Sequence, residues 1–245
     1  MRLFASTYYK GTRYAGWQRQ PDAITIQQVI EEKLSQYFNR EITIYGAGRT
    51  DAGVHAFGQK FHFDVDVSEL DISRLLYSIN MMLPADIKID DIEEVEESFH
   101  ARFDAKAKIY SYSILLESKD PFLYETSYLH PSPIDIDLLK EVLSHFVGKH
   151  NFKNFTSKEE DKDNFVREIY NIEVSEVVNH LLYITFRGEG FMRYMIRFIV
   201  GEALNICEKN LDPSVVDELL DEASPRKIVS HKAPANGLVL VDVEY

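Results

Sequence analysis

Apolar residues recur along this chain at two spacings, alternate positions and every three to four positions, and the switches between them mark the elements. Leu3 to Tyr9 alternate and are rich in aromatics, which predicts a strand, with a turn at Lys10 and Gly11. In Thr25 to Phe38 the apolar positions Ile26, Val29, Ile30, Leu34, Tyr37 and Phe38 form one stripe, the signature of an amphipathic helix. Ile42 and Ile44 begin a short strand that enters a glycine-rich loop, Gly46 to Gly58. Phe61, Phe63, Val65 and Val67 then alternate with Lys60, His62, Asp64 and Asp66, as in a half-buried strand. Ile72, Leu75, Leu76, Ile79 and Leu83 share a helix face that Pro84 ends, and Ile87 and Ile89 start another strand.

The second half repeats this rhythm. Ala105 to Glu117 reads as a long strand; Leu138, Leu139, Val142, Leu143, Phe146 and Val147 mark a helix ended by Gly148; Glu168 to Phe186 reads as a hairpin turning near Asn179 and His180. Met192, Met195, Ile196, Ile199, Val200, Ala203, Leu204 and Cys207 form the longest helical stripe, with Arg193 and Arg197, four apart, on its flank. Asp212 and Pro213 cap and open a further helix through Leu220, and Gly237 to Tyr245 closes as a strand. Strand, helix, strand, strand, helix, strand is the split pattern of ferredoxin-like units. The expected fold class is α+β: two tandem ferredoxin-like (RRM-like) halves, residues 1–104 and 105–245. They are expected to form an extended mixed, largely antiparallel sheet with helices on one face and a central cleft.

A length of 245 residues accommodates one large or two small domains, and 45% hydrophobic with 27% charged residues excludes a disordered chain. No apolar run reaches the roughly 20 residues that span a bilayer, because Arg193, Arg197 and Glu202 interrupt the one candidate. With Cys207 as the single cysteine and no charged-then-apolar leader before Leu3, a cytoplasmic protein without internal disulfides is expected. Twenty-seven basic against 40 acidic residues leave a net charge of −13, which as a bulk property disfavours a polyanionic partner. Any nucleic-acid site must then be a local concentration of Arg and Lys. The acidic runs Asp90–Glu97, Glu159–Asp163 and Asp217–Glu222 read as solvated surface.

Chemistry concentrates in Gly46-Ala47-Gly48-Arg49-Thr50-Asp51-Ala52-Gly53-Val54-His55-Ala56, where three glycines bracket an Arg, an Asp and a His directly after a strand. A dinucleotide fingerprint fails, since its third glycine would fall on Asp51. The phosphate loop fails too, since its Lys and Ser/Thr would fall on Val54 and His55. A metal site of Asp51, His55 and His62 lacks any supporting ligand spacing, so no metal is expected. Two readings of the loop stand side by side: an ordinary ion pair of Arg49 with Asp51, or an ionised Asp51 serving as nucleophile or general base.

The string at 46 to 55 resembles the signature loop of the bacterial tRNA pseudouridine synthase A family, and the likeness runs the length of the chain. Tyr14-Ala15-Gly16-Trp17-Gln18-Arg19-Gln20 with Thr25-Ile26-Gln27 resembles the amino-terminal motif of that family; Phe99-His100-Ala101-Arg102-Phe103 and Tyr110-Ser111-Tyr112 resemble its central one. Phe191-Met192-Arg193-Tyr194-Met195-Ile196-Arg197 and Ala233-Pro234-Ala235-Asn236-Gly237-Leu238 complete the series.

The resemblance implies an enzyme that detaches uracil from its ribose, rotates it and rejoins it through carbon 5, at uridines 38 to 40 of the tRNA anticodon stem-loop. It implies no cofactor, tRNA as partner, no membrane, and a homodimer. Asp51 corresponds to the essential aspartate that attacks or otherwise activates the anomeric carbon, with a covalent adduct and a glycal intermediate both open. Arg197 corresponds to the arginine that pairs with it, and Tyr110 to the aromatic that stacks on the base and takes part in removing the carbon 5 proton. Arg49 corresponds to the arginine that fills the space left by the flipped nucleotide. Lys106, Lys108, Arg19, Arg102 and Arg193 belong to a basic face expected to hold phosphates.

Lys10, Arg13, Arg167, Arg187, Arg226, Lys227 and Lys232 also lie near the motifs. The chain departs from the family pattern at Lys10, Asn151, Tyr194 and Phe198, the last two replacing the usual His and Asn on the arginine-bearing helix. His55 is read as a structural histidine of the loop. The rival classes are a non-catalytic RNA-binding protein, which needs no nucleophile at Asp51, and an N-glycosidase, which would leave free uracil.

Overall fold

The computed structural model describes residues 1–117, 120–157 and 164–245; the acidic run from Glu159 to Asp163 lies outside them. In chain order the first elements are β1 (Arg2–Tyr9), α1 (Ile26–Phe38), β2 (Ile44–Gly46), β3 (His55–Asp64), α2 (Ile72–Met82) and β4 (Ile87–Val95). There follow β5 (Ala107–Leu116), β6 (Tyr128–His130), α3 (Ile136–Ser144), β7 (Gly148–Asn151), β8 (Val166–Val174), β9 (Leu181–Gly188), α4 (Met195–Glu208), α5 (Val215–Leu220) and β10 (Leu238–Glu244). They form two compact units, Met1–Lys106 with Val239–Tyr245, and Ala107–Leu238.

In the first unit β1 pairs antiparallel with both β3 and β4, and β2 pairs antiparallel with β3 at Phe61 to Phe63. The order β4-β1-β3-β2 is that of a ferredoxin-like unit. The closing strand β10 joins it in parallel, Val239 opposite His55 and Leu240 opposite Ala56. Helix α1 starts where the Thr25 hydroxyl accepts from the Gln28 N–H and ends at Asn39 with φ 50°. Helix α2 starts on the Asp71 carboxylate and stops ahead of Pro84. Ile26, Ile30, Leu34, Leu75 and Ile79 are fully buried, as are Leu3, Ala5, Ile44, Phe61 and Phe63. Burying each branched or ring side chain contributes about 1.5–3 kcal/mol, against about 1 kcal/mol for a cap, so this layer rather than the helix ends holds the unit together.

Strand β3 departs from the expected alternation. It starts at His55, so the glycine-rich loop is shorter than its composition suggests, and His62 is 1% exposed although its neighbours in the pattern are charged. The reason is long-range. The Ala101 N–H donates to His62 Nδ1 (3.2 Å), Tyr45 stacks on the imidazole (5.0 Å, 17°), and His100 meets it edge-on (4.6 Å). Burial first, then the charges of His100 and Arg2, push the His62 pKa down from 6.5 to about 4. The unfolded chain therefore takes up this proton before the folded one does. Stability should be fully present above pH 6.5 and fall between pH 6.5 and about 4, by on the order of 3 kcal/mol for this group. Denaturant titrations at several pH values, with His62→Asn as the comparison, test it; equal acid sensitivity of the two proteins would contradict the account.

In the second unit the order is β5-β9-β8-β7, antiparallel throughout, with β6 parallel on β5. The β8–β9 hairpin turns at Asn179 and His180, with φ of 52° and 65°, the two left-handed residues that a two-residue hairpin loop requires. Helix α3, capped by Asp135, ends at Ser144 rather than running on to Gly148; Phe146 and Val147 continue in tighter turns and Gly148 (φ 110°) opens β7. Helix α4 starts at Met195, not Met192. Tyr194 before it is left-handed, and Met192 is buried without being helical, so the apolar spacing runs through a non-helical turn. Arg193 and Arg197 consequently do not share a helix flank. Among the described residues no helix is long and apolar enough to cross a membrane.

Candidate active site

The loop between β2 and β3 is held by residues on either side of it in the chain. The Thr50 carbonyl accepts from the Trp17 N–H (3.1 Å), the Tyr14 carbonyl from the Gly53 N–H (3.3 Å), and the Lys60 carbonyl from the Ala47 N–H (2.7 Å). The Thr50 hydroxyl bonds the Tyr9 hydroxyl at 2.8 Å, with both groups buried. Gln59 donates to the Gly48 carbonyl (2.9 Å), and the Asp51 carbonyl accepts from the Val54 N–H (3.1 Å), closing a turn around the half-buried Asp51. Trp17, 2% exposed, wedges between Tyr9 and Phe61 and fixes the base of the loop. The Tyr14–Gln20 motif is thus the wall on which the Asp51 loop rests.

Arg49 is exposed and donates through Nε to Gln18 Oε1 (3.2 Å), not to the carboxylate two residues away, so the loop is not an Arg49–Asp51 ion pair. His55 is buried in β3 and its Nδ1 accepts from the Gly11 N–H (3.0 Å), which fits the structural reading of this histidine. At Gly16, φ is 90°, and a Cβ there would lie 2.6 Å from the Thr50 carbonyl oxygen and 3.1 Å from the Ala52 N. Gly16→Ala should push residues 50–52 out of place, costing about 2 kcal/mol or more of stability. At least about a tenfold loss of turnover should accompany it, since small displacements of reacting groups are costly. Thermal melts and turnover assays read both effects; a variant matching the parent in both would refute the wall.

In the second unit Tyr110 lies in β5 opposite Phe186, 7% exposed, with Phe191 edge-on to its ring (5.4 Å, 82°). Tyr112 is fully buried, its hydroxyl donating to the Pro234 carbonyl (2.8 Å), and burial pushes its pKa up. Gly237 rides on that ring, where a Cβ would lie 2.7 Å from Cζ. Lys108 is half-buried in β5, and exposed Lys106 precedes the strand, its N–H donating to the Glu244 carbonyl.

Arg197 is 9% exposed and clamped twice by Ala233: Nε donates to the Ala233 carbonyl (2.8 Å), and the Arg197 carbonyl accepts from the Ala233 N–H (2.9 Å). Gly201, one turn on, lets residues 231–233 come this close, since a Cβ there would lie 2.5 Å from the His231 carbonyl oxygen. Asn236 fastens the same segment by donating to the Tyr124 and Ser127 carbonyls. The Ala233–Leu238 motif is therefore the brace of Arg197. Beside it, the Tyr194 ring has Arg193 at 4.8 Å, Arg197 at 5.2 Å and Lys232 at 4.3 Å from its centroid. The sequence places Lys232 near the motifs and Tyr194 as a departure from the family pattern; a tyrosine between the motif residues Arg193 and Arg197 was the available signal.

Other cations are locally engaged. Arg19, half-exposed, bonds buried Glu31 (3.0 Å), which with Gln27 also ties down the start of β2. Arg13 pairs with Asp86 (2.6 Å), whose carboxylate stays below its usual range: burial opposes this, but hydrogen bonds from Arg13 and Tyr14 prevail. Arg226 donates to the Lys153 and Thr156 carbonyls, and Arg102 lies 5.8 Å from the exposed Phe103 ring.

A family profile described as tRNA pseudouridine synthase matches residues 5–104 and 142–245. A Bacillus cereus protein named tRNA pseudouridine synthase A 1 is 37% identical over 246 residues, covering 100% of this chain and 98% of the relative. The tRNA pseudouridine synthase A of Exiguobacterium sibiricum is also 37% identical, covering 100% and 97%, and that of Streptococcus agalactiae is 35% identical, covering 100% and 95%. Among solved structures, a chain of a Cbf5-Nop10-Gar1 complex aligns with a TM-score of 0.36 at 13% identity, over 83% of this chain and 54% of that one.

Proposed function

We infer the activity of this chain from its family: it belongs to the tRNA pseudouridine synthases, isomerases that convert uridine to pseudouridine. The observation that carries the reading is the full-length match at 37% identity, and the anchoring of the Asp51 loop by Tyr9, Tyr14, Trp17 and Gln59 supports it. The proposed substrate is tRNA, and the proposed sites are uridines 38 to 40 of its anticodon stem-loop.

In the proposed reaction the Asp51 carboxylate engages the ribose anomeric carbon as the bond to N1 breaks. The freed uracil turns and bonds to the anomeric carbon through carbon 5 as Asp51 is released from it; carbon 5 then gives up its proton and N1 takes one up, so that no atom or electron is gained or lost overall. Arg197 keeps the carboxylate charged by pairing with it, because a nearby guanidinium favours the ionised form. Tyr110 stacks on the base, Arg49 occupies the gap in the RNA, and Arg19, Arg102, Arg193, Lys106 and Lys108 contribute phosphate contacts. A homodimer working in the cytoplasm, without cofactor or metal, completes the proposal. The test is tRNA labelled with tritium at carbon 5 of uracil. Tritium release with pseudouridine mapped at 38 to 40 is expected; free uracil would make the protein an N-glycosidase, and binding without release would make it an RNA-binding protein.

A further inference from the structure

We propose that Tyr194 is a positioning residue, its ring gathering Arg193 and Lys232 beside Arg197 into a seat for one phosphate of the RNA backbone, with Arg193 and Lys232 as the groups that meet it. The inference rests on the reading of RNA as substrate and assigns it a site in the second unit.

The argument begins with backbone conformation. Tyr194 has φ 64° and ψ 2°, in the left-handed region that side chains other than Asn, Asp and Gly seldom adopt. An aromatic residue there is strained, and strain of this kind persists where the surroundings over-determine it. What surrounds it is positive charge. Three cationic groups lie within 5.2 Å of one ring centroid, and Lys232 also lies 5.8 Å from the Phe198 ring. Arg193 donates through Nη2 to the Tyr194 hydroxyl (2.9 Å), so the ring edge and the ring face are both engaged.

Like charges this close repel, and the electron-rich ring offsets only part of that repulsion. Arg193 and Lys232 are exposed, and among the described residues neither has a carboxylate in ion-pair contact. The adjoining helix α4 adds to the positive potential, for no side chain caps its start and its first turn holds no acid. Arg193 and Lys232, exposed and close to one ring, suit an anion. A phosphodiester fits best, because its two free oxygens can accept from one guanidinium and one ammonium.

Four proteins test the proposal, by the dependence of tRNA affinity on salt and by KM and kcat. Arg193→Ala/Lys232→Ala should lower the slope of log affinity against log salt by about one, the signature of one lost phosphate contact. Tyr194→Asn keeps a residue that tolerates positive φ and so should melt no lower than the parent. It should nevertheless lose about one unit of slope and raise KM by about tenfold, because the cations are no longer gathered. Tyr194→Phe, which keeps the ring face, should restore the parental slope. The proposal is overturned if Tyr194→Asn retains the parental slope, whatever its melting temperature, or if Tyr194→Phe binds no better than Tyr194→Asn. Failure of the isomerase reading is a separate result: the parent would release no tritium from tRNA while the slopes still changed as stated.

Discussion

Asp51→Asn should reduce tritium release from labelled tRNA by on the order of 10³- to 10⁴-fold while leaving tRNA affinity nearly intact. Asn is the same size and keeps the backbone turn in which the Asp51 carbonyl accepts from the Val54 N–H. The loop is secured by Tyr9, Tyr14, Trp17, Gln59 and Lys60, none of which needs the carboxylate. What the substitution removes is the negative charge that the proposed reaction requires at the anomeric carbon, and losses of a group acting directly on the reacting atoms are of this size. Single-turnover assays, with circular dichroism and a melting curve as controls, separate the possibilities. A variant that keeps more than a tenth of the parental rate would end the assignment of Asp51 as the reacting group. One that melts well below the parent at an unchanged rate would make the residue structural.

The second large effect is expected at Arg197. Arg197→Lys keeps a positive charge in the same place but replaces a planar fork of five donors with one ammonium. In this fold Nε is already committed to the Ala233 carbonyl, and the remaining guanidinium nitrogens are what the proposed pairing with Asp51 would use. A lysine cannot meet both demands with the same geometry. A fall in kcat of about 10²-fold is expected, with loss of the Ala233 bond costing about 1 kcal/mol of stability. If the two residues act as a unit, Asp51→Asn/Arg197→Lys should be no slower than Asp51→Asn alone, because groups serving one step are non-additive. Multiplicative losses in the double variant would mean that Arg197 serves some other step.

How much of this could be read from the chain differs from element to element. Helices α1 and α2 were legible because a stripe at three- and four-residue spacing, a capping Thr25 or Asp71 and a terminating Pro84 are all local signals. The β8–β9 turn was legible for the same reason, Asn179 tolerating the positive φ it adopts. The Asp51 loop drew attention through its glycines and the family resemblance, and its reading as an Arg49–Asp51 ion pair gave way to a bond from Arg49 Nε to Gln18.

His62 alternates with the apolar positions of its strand, and Tyr112 lies in the long strand of the second half. They are buried because residues 99–103 and 234–237, distant in sequence, fold over them. Alternation states which residues share a face and leaves open whether that face is covered. The start of α4 was misplaced because Met192 satisfies the apolar spacing from a non-helical turn, and that turn places Arg193 and Lys232 around Tyr194. The sequence by itself determined the α+β class, the family and the positions of helices α1 and α2, since each is written in short-range pattern. Only the tertiary structure decided which polar side chains are sealed off, where β10 returns to pair beside His55, and which cations meet on one ring. Those depend on packing between segments far apart in the chain, which no local periodicity encodes.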